Sequence, residues 1–146
     1  MEPEIPSDTH NLERFVSAQN ADETYKRAVE ELRRGQKTSH WMWFIFPQIA
    51  GLGLSSTSRF FAISSLEEAR AYLQHPVLGP RLIEAARIVA ETDGRTAEQI
   101  FGGIDAQKLR SSMTSFQHAA PDEAVFRNVL ERYFDGVADA ATEARV

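Results

Sequence analysis

Tyr25, Ala28, Val29 and Leu32 fall at i, i+3, i+4 and i+7, the spacing of one face of an α-helix. Arg33 and Arg34 follow where cations suit the negative end of a helix, and Gly35 is a natural residue for leaving one. This pattern predicts a helix over 23–34, and it recurs along the chain. Ser65-Leu-Glu-Glu68 reads as a capping box opening a helix over 66–74, with Leu66, Ala69 and Leu73 inward. His75-Pro76 stops it, because the residue before proline avoids the α region. Gly79-Pro80 starts a helix over 80–92 that buries Leu82, Ile83, Ala86, Val89 and Ala90. Thr96 to Gln99 is a second capping box, for a short helix to Phe101. Asp105 is expected to cap a helix over 105–118, with Leu109, Met113 and Phe116 inward. Phe126, Val129, Leu130, Tyr133 and Phe134 mark the stripe of a last helix over 122–135. A short helix is expected around Leu12, Phe15 and Val16. No βαβ alternation and no repeat occurs. The expected fold is all-α: a compact multihelical bundle with at most a marginal short strand pair, its core around Trp43, Phe44, Leu82, Leu109 and Leu130.

A chain of 146 residues suggests one domain. The expected division is a flexible N-terminal arm at 1–8, one helical domain at 9–137, and a C-terminal tail at 138–146 that frays after Asp139. The formal net charge of −5 disfavours nucleic acid, which needs a basic face. The chain has no cysteine, so disulfides, thiolate catalysis and cysteine-based zinc sites fall away together, as fits a cytoplasmic protein. MEPEIPSDTH lacks the apolar stretch of a signal peptide. The longest apolar run, Trp41 to Phe46, is far short of the roughly 20 residues a membrane helix needs. The expectation is a soluble protein without a membrane partner.

That apolar run lies in HWMWFIFPQIAGLGLSS, residues 40–56. Every position from 41 to 46 is apolar, so periodicity does not choose between strand and helix; Ser39 is the candidate cap for the helical reading. Pro47 ends either one, residues 47–58 read as loop, and Phe60, Phe61 and Ile63 are expected to re-enter the core. Met42, Phe44 and Phe46 are expected to face inward. Gly-Leu-Gly-Leu-Ser-Ser matches neither the Walker nor the dinucleotide glycine pattern.

Histidines stand at 10, 40, 75 and 118, none at the i, i+4 metal spacing, so no metal is expected. The adjacent acids Glu30-Glu31 and Glu67-Glu68 do not share a helical face and read as surface or cap residues. Asp105, Lys108 and Ser112 do share one. An acid, a lysine and a hydroxyl on one stripe can orient a polar ligand, and Trp41 and Trp43 offer rings beside His40, Lys37 and Gln48. A lysine and an aspartate among apolar stripes need water or partners, since an unpaired buried charge is costly. Lys37, His40, Gln48, Asp105, Lys108 and Ser112 are therefore expected to converge on one cleft, with 47–58 as its mobile rim and Trp41 as a further ligand-binding residue. The leading reading is a pocket for a small polar or nucleotide-like ligand, with no cofactor. One alternative is a hydrolase or transferase acting on a nucleotide or ADP-ribose-like compound, with His40 or Asp105 as acid/base and Lys108 as anion clamp. Another is an interaction module with no ligand. Oligomeric state is not legible.

RFVSAQ at 14–19, HWMWFIFPQIAGLG at 40–53, EEARAYLQHPVLGPRL at 67–82, IFGGIDAQKLRSSMTSF at 100–116 and YFDG at 133–136 resemble a bacterial family, domain-of-unknown-function family 1810. The resemblance runs from Asn11 to Gly136. It implies a mostly α-helical domain without an established activity. It also implies that Lys37, His40, Trp41, Trp43, Pro47, Gln48, Gly51, Gly53, His75, Gly79, Arg81, Asp105, Lys108, Ser112 and Thr114 belong to the family pattern. The chain departs from that pattern at Ser115, where a leucine is expected, and at Arg59-Phe60-Phe61. Members are sometimes labelled calpastatin, but a calpastatin is a disordered repeat inhibitor and this chain has a periodic core.

Overall fold

The computed structural model describes residues 8–146, so the arm expected at 1–8 lies outside the described residues apart from Asp8. In chain order the α-helices are α1 (Glu13–Asn20), α2 (Thr24–Arg33), α3 (Met42–Ile45), α4 (Ser56–Phe60), α5 (Leu66–Gln74), α6 (Leu78–Glu91), α7 (Ala97–Phe101), α8 (Gly103–Ala119), α9 (Ala124–Phe134) and α10 (Ala140–Glu143). A 3₁₀ turn, Ala21–Glu23, joins α1 to α2. The β-structure among the described residues is one isolated parallel bridge between Ile49 and Ile63. The chain is all-α.

Local chemistry sets most boundaries. Ser65 accepts a hydrogen bond from the Glu68 amide and opens α5. Thr96 and Gln99 form both arms of the expected capping box at α7. α6 begins at Leu78, two residues before Pro80, which therefore sits in the first turn where its missing N–H costs nothing. Asp105 does not cap α8. The helix starts two residues earlier, at Gly103, and Asp105 rides in its first turn, where a negative charge meets the positive helix end.

α8 is the axis of the molecule. Its residues Ser111 to Phe116 are all buried, and it packs against α5, α7, α9 and α10. A helix surrounded on so many sides must carry small residues, and Ser111, Ser112, Thr114 and Ser115 let its neighbours approach. α6 packs on α2, α5 and α9 to complete the core. The α5–α6 corner is tight: a Cβ on Gly79 would stand 2.1 Å from the Leu73 carbonyl oxygen. No backbone moves that far at small cost, so only glycine fits there.

Several expectations need correcting. The 40–46 segment is helix, but a single turn, and Ser39 does not cap it; Trp41 occupies the cap position and makes no side-chain capping bond. Trp41 and Ile45 are buried along with Met42 and Phe46, while Phe44 is only half-buried. Phe60 does not re-enter the core; it is exposed. The segment after Asp139 does not fray. It forms α10, which docks on α8 because buried Asp139 accepts hydrogen bonds from Gln107, Ser111 and Thr142. The Asp139 amide in turn donates to Thr114 Oγ1 at 2.9 Å.

The acidic pairs are corrected as well. Glu31 and Glu68 are 1% and 3% exposed. Adjacent helical residues point about 100° apart, so one member of each pair faces solvent while the other is carried inside. Glu68 pairs with Arg14 at 2.7 Å and accepts the Ser64 amide and hydroxyl. Arg14 also donates to the carbonyls of His10, Asn11, Phe60 and Ala62, and so fastens the C-terminal end of α4 and the residues after it to α1.

Candidate functional site

Between α2 and α3 the chain turns around one buried carboxylate. Glu31 accepts the Thr38 amide at 2.7 Å, the Ser39 amide at 2.9 Å, the Ser39 hydroxyl at 2.6 Å and the Trp41 indole N–H at 3.0 Å. Burial raises the pKa of this carboxyl. The hydrogen bonds from Ser39, Thr38 and Trp41 outweigh that and hold it at about 2. Glu31 is thus an anion at ordinary pH, and its bonds fix the backbone on which Lys37 and Trp41 stand. The Lys37 amide is tied separately to the Ile100 carbonyl at 2.7 Å, which brings this turn against the end of α7.

α8 begins two residues after α7 ends, and here the two distant segments meet. Lys37 Nζ lies 2.9 Å from one Asp105 oxygen, and Lys108 Nζ lies 3.6 Å from the other. Each ammonium also sits over an indole face, Lys37 at 5.1 Å from the Trp41 ring centre and Lys108 at 5.0 Å from that of Trp43. Side-chain exposures are 8% for Lys37, 20% for Asp105 and 21% for Lys108. Two cations share one carboxylate, so the cluster carries one positive charge in excess. It is held partly out of water, and the ring faces supply only part of the compensation.

Among the described residues His40, Gln48 and Ser112 make no hydrogen bond or ion pair with this cluster. His40 is exposed and makes no hydrogen bond or ion pair among the described residues. Gln48 lines a separate small cavity of about 180 Å³ formed by residues 48–62. Ser112 lies on the α8 face of Asp105 and Lys108, one turn past Lys108, but it is fully buried and its hydroxyl has no partner among the described residues. Trp43, read from the sequence as core or stacking ring, is the half-buried ring at the cluster, whereas Trp41 is wholly inside. Sequence reasoning missed Glu31. Its signal was present in Glu31 preceding Thr38-Ser39 and Trp41, all donors, but only the turn geometry makes them converge.

Two of the larger grooves lie along α6. One, of about 560 Å³, runs between α6 and α9 past Arg87, Glu91, Glu131 and Arg132. The other, of about 420 Å³, lies at the ends of α2 and α6 beside Arg33, Arg34 and Arg95. Among the described residues no cluster of three His, Asp or Glu side chains is arranged to hold a metal ion, and no helix is long and apolar enough to cross a membrane.

The model of the family described as "Protein of unknown function (DUF1810)" matches residues 9–146. The chain belongs to the DUF1810 family. The match takes in α1 through α10, including both halves of the lysine–aspartate cluster. A solved structure, the conserved hypothetical protein Rv1873 from Mycobacterium tuberculosis, is 50% identical to this DUF1810 chain. It superposes with a TM-score of 0.91 over 94% of this chain and 96% of its own. No curated protein matches the chain.

Proposed function

We propose that this DUF1810 chain is a small-ligand-binding protein of the cytoplasm, and that it receives a small polar or nucleotide-like ligand at the Lys37–Asp105–Lys108 cluster. One observation carries the reading: two lysines from segments far apart in sequence converge on one aspartate, leaving a positive charge in excess at low exposure. A packing role does not require that arrangement, because a single lysine would neutralise Asp105. An anionic group on a ligand would complete it. Lys108 is the better contact for such a ligand, being more exposed and more loosely held than Lys37. Half-buried Trp43, already engaged by Lys108, gives an apolar flank to the planar part of such a compound.

The enzyme alternative has less support. Both Asp105 oxygens are engaged by ammonium groups, and His40 makes no hydrogen bond or ion pair with Asp105 or Lys108.

The test is a thermal-shift screen of the native chain against nucleotides, nucleosides, sugar phosphates and small acids. A compound that binds only the folded state raises the melting temperature by mass action. The expected result is a concentration-dependent rise that Lys108→Met abolishes. A panel giving no rise, or a rise that Lys108→Met leaves intact, overturns the proposal. Assaying the hits for turnover separates binder from enzyme.

A further inference from the structure

The cavity of about 180 Å³ beside the bridge is a second place where the chain offers polar groups without using them. Its walls include Gln48, Ala50, Gly51, Gly53, Ser58 and Arg59, and none of its lining residues is acidic. The frame is firm. The Ile63 amide donates to the Gln48 carbonyl at 2.8 Å, and the Ala50 amide donates to the Ile63 carbonyl at 2.7 Å. Ser55 caps α4 by accepting the Ser58 amide, and the Ser55 hydroxyl donates to Ser58 Oγ at 2.9 Å. Gly53 lies so close to Ser58 that a Cβ there would stand 2.4 Å from the Ser58 Cβ, which is what lets the loop close over the cavity. The glycine therefore serves a close approach rather than the mobility expected of a rim.

Against this frame the donors are in surplus. The Arg59 guanidinium makes no hydrogen bond or ion pair among the described residues, and neither does the Gln48 side-chain amide. The amides of Gly51 and Gly53 have no acceptor there either. Ser58 Oγ accepts from Ser55, so its own hydrogen is free to point outward. A guanidinium, a carboxamide, a hydroxyl and two backbone N–H groups, with no carboxylate among them, are the complement of an oxyanion.

We propose that this loop cavity binds a small ligand through an oxyanion group, a carboxylate or a phosphate, with Arg59 as the principal contact and Gln48 as the second. The cavity holds about six waters at roughly 30 Å³ each, which limits the ligand to a small acid or to the anionic end of a longer one. The site does not depend on the lysine–aspartate cluster.

The test is an NMR titration of the native chain with acetate and, separately, inorganic phosphate, with sodium chloride as the ionic-strength control. Saturable shifts are expected at the Gly51 and Gly53 amides and the Gln48 side-chain NH₂ group. Arg59→Met should weaken them at least about tenfold, the loss of one charge-assisted contact. Gln48→Met should weaken them less. Lys108→Met should leave them unchanged, which separates this site from the one proposed above. Saturation by acetate alone identifies a carboxylate site, by phosphate alone a phosphoryl site. Shifts that do not saturate, that centre on Lys37, Lys108 and Trp43, or that saturate with undiminished affinity in a folded Arg59→Met variant overturn the proposal.

Discussion

The Glu31 carboxylate and the Trp41 indole N–H meet at 3.0 Å inside the protein, ten residues apart in the chain. The same oxygen accepts the Thr38 and Ser39 amides. Glu31→Gln keeps the shape of the side chain but substitutes an amide with only one acceptor oxygen. The oxygen can stay with the two amides and the indole, but the new NH₂ group then faces the Ser39 hydroxyl, which must turn from donor to acceptor, and every bond loses the carboxylate charge. We expect a loss of about 2–4 kcal/mol of stability, read as a lower urea midpoint with an unchanged denaturant slope.

The same carboxylate sets the acid limit. Its folded pKa of about 2 lies below its ordinary 4.5, so between those values the unfolded chain binds more protons. The stability it contributes is complete above about pH 4.5 and is lost as pH falls through 2. The depression corresponds to about 3 kcal/mol. Asp139, also lowered through its bonds to Thr142 and Ser111 despite burial, adds in the same direction. Urea midpoints from pH 7 to pH 2 should fall steeply in the parent chain and less steeply in Glu31→Gln; parallel curves would contradict this.

Lys37 and Lys108 share Asp105 unequally. Lys37 is closer and less exposed, so Lys37→Met should cost about 1–2 kcal/mol and Lys108→Met less than about 1. The weaker structural role of Lys108 makes it the cleaner variant for binding studies. Equal losses in denaturant melts would show that the two are structurally equivalent.

Ser112 holds the one buried side-chain polar atom left without a partner among the described residues. Replacing it with alanine removes an unmet hydroxyl, so the substitution should be neutral or stabilising by up to about 1 kcal/mol. A clear loss of melting temperature would mean that the hydroxyl has a partner in solution, such as an ordered water.

Asp139→Ala should detach α10. It removes the cap and the acceptor for Gln107, Ser111 and Thr142 in one step, and should cost about 2–4 kcal/mol. Hydrogen exchange at residues 140–143 should accelerate while the core helices stay protected.

The helices were legible because their signals are local. The Thr96–Gln99 box, the Ser65 cap and the Tyr25-to-Leu32 stripe each need only a few neighbouring residues. The lysine–aspartate contact was anticipated from charge, since a lysine and an aspartate among apolar stripes need water or partners. Burial of Glu31 and Glu68 was not legible, because the partner that neutralises Glu68 is Arg14, 54 residues away. The same limit applies to Asp139, whose acceptor role depends on where α8 passes. The place of Gln48 beside a small cavity follows from the Ile49–Ile63 bridge, a pairing with no sequence signature in so helical a chain.

The single-turn helix α3 has an optical consequence. The chain has two tryptophans, and both belong to this turn, one stacked under each lysine of the cluster. Tryptophan emission, excited at the red edge where the three tyrosines do not absorb, therefore originates wholly at the candidate site. The two indoles differ in access, since Trp41 is enclosed and Trp43 half-open. A neutral quencher such as acrylamide reaches the second before the first, so the quenchable fraction follows Trp43 and the protected fraction follows the Glu31 turn. One unlabelled cuvette measurement thus reads occupancy at Lys108 and integrity of the scaffold behind it as separate signals.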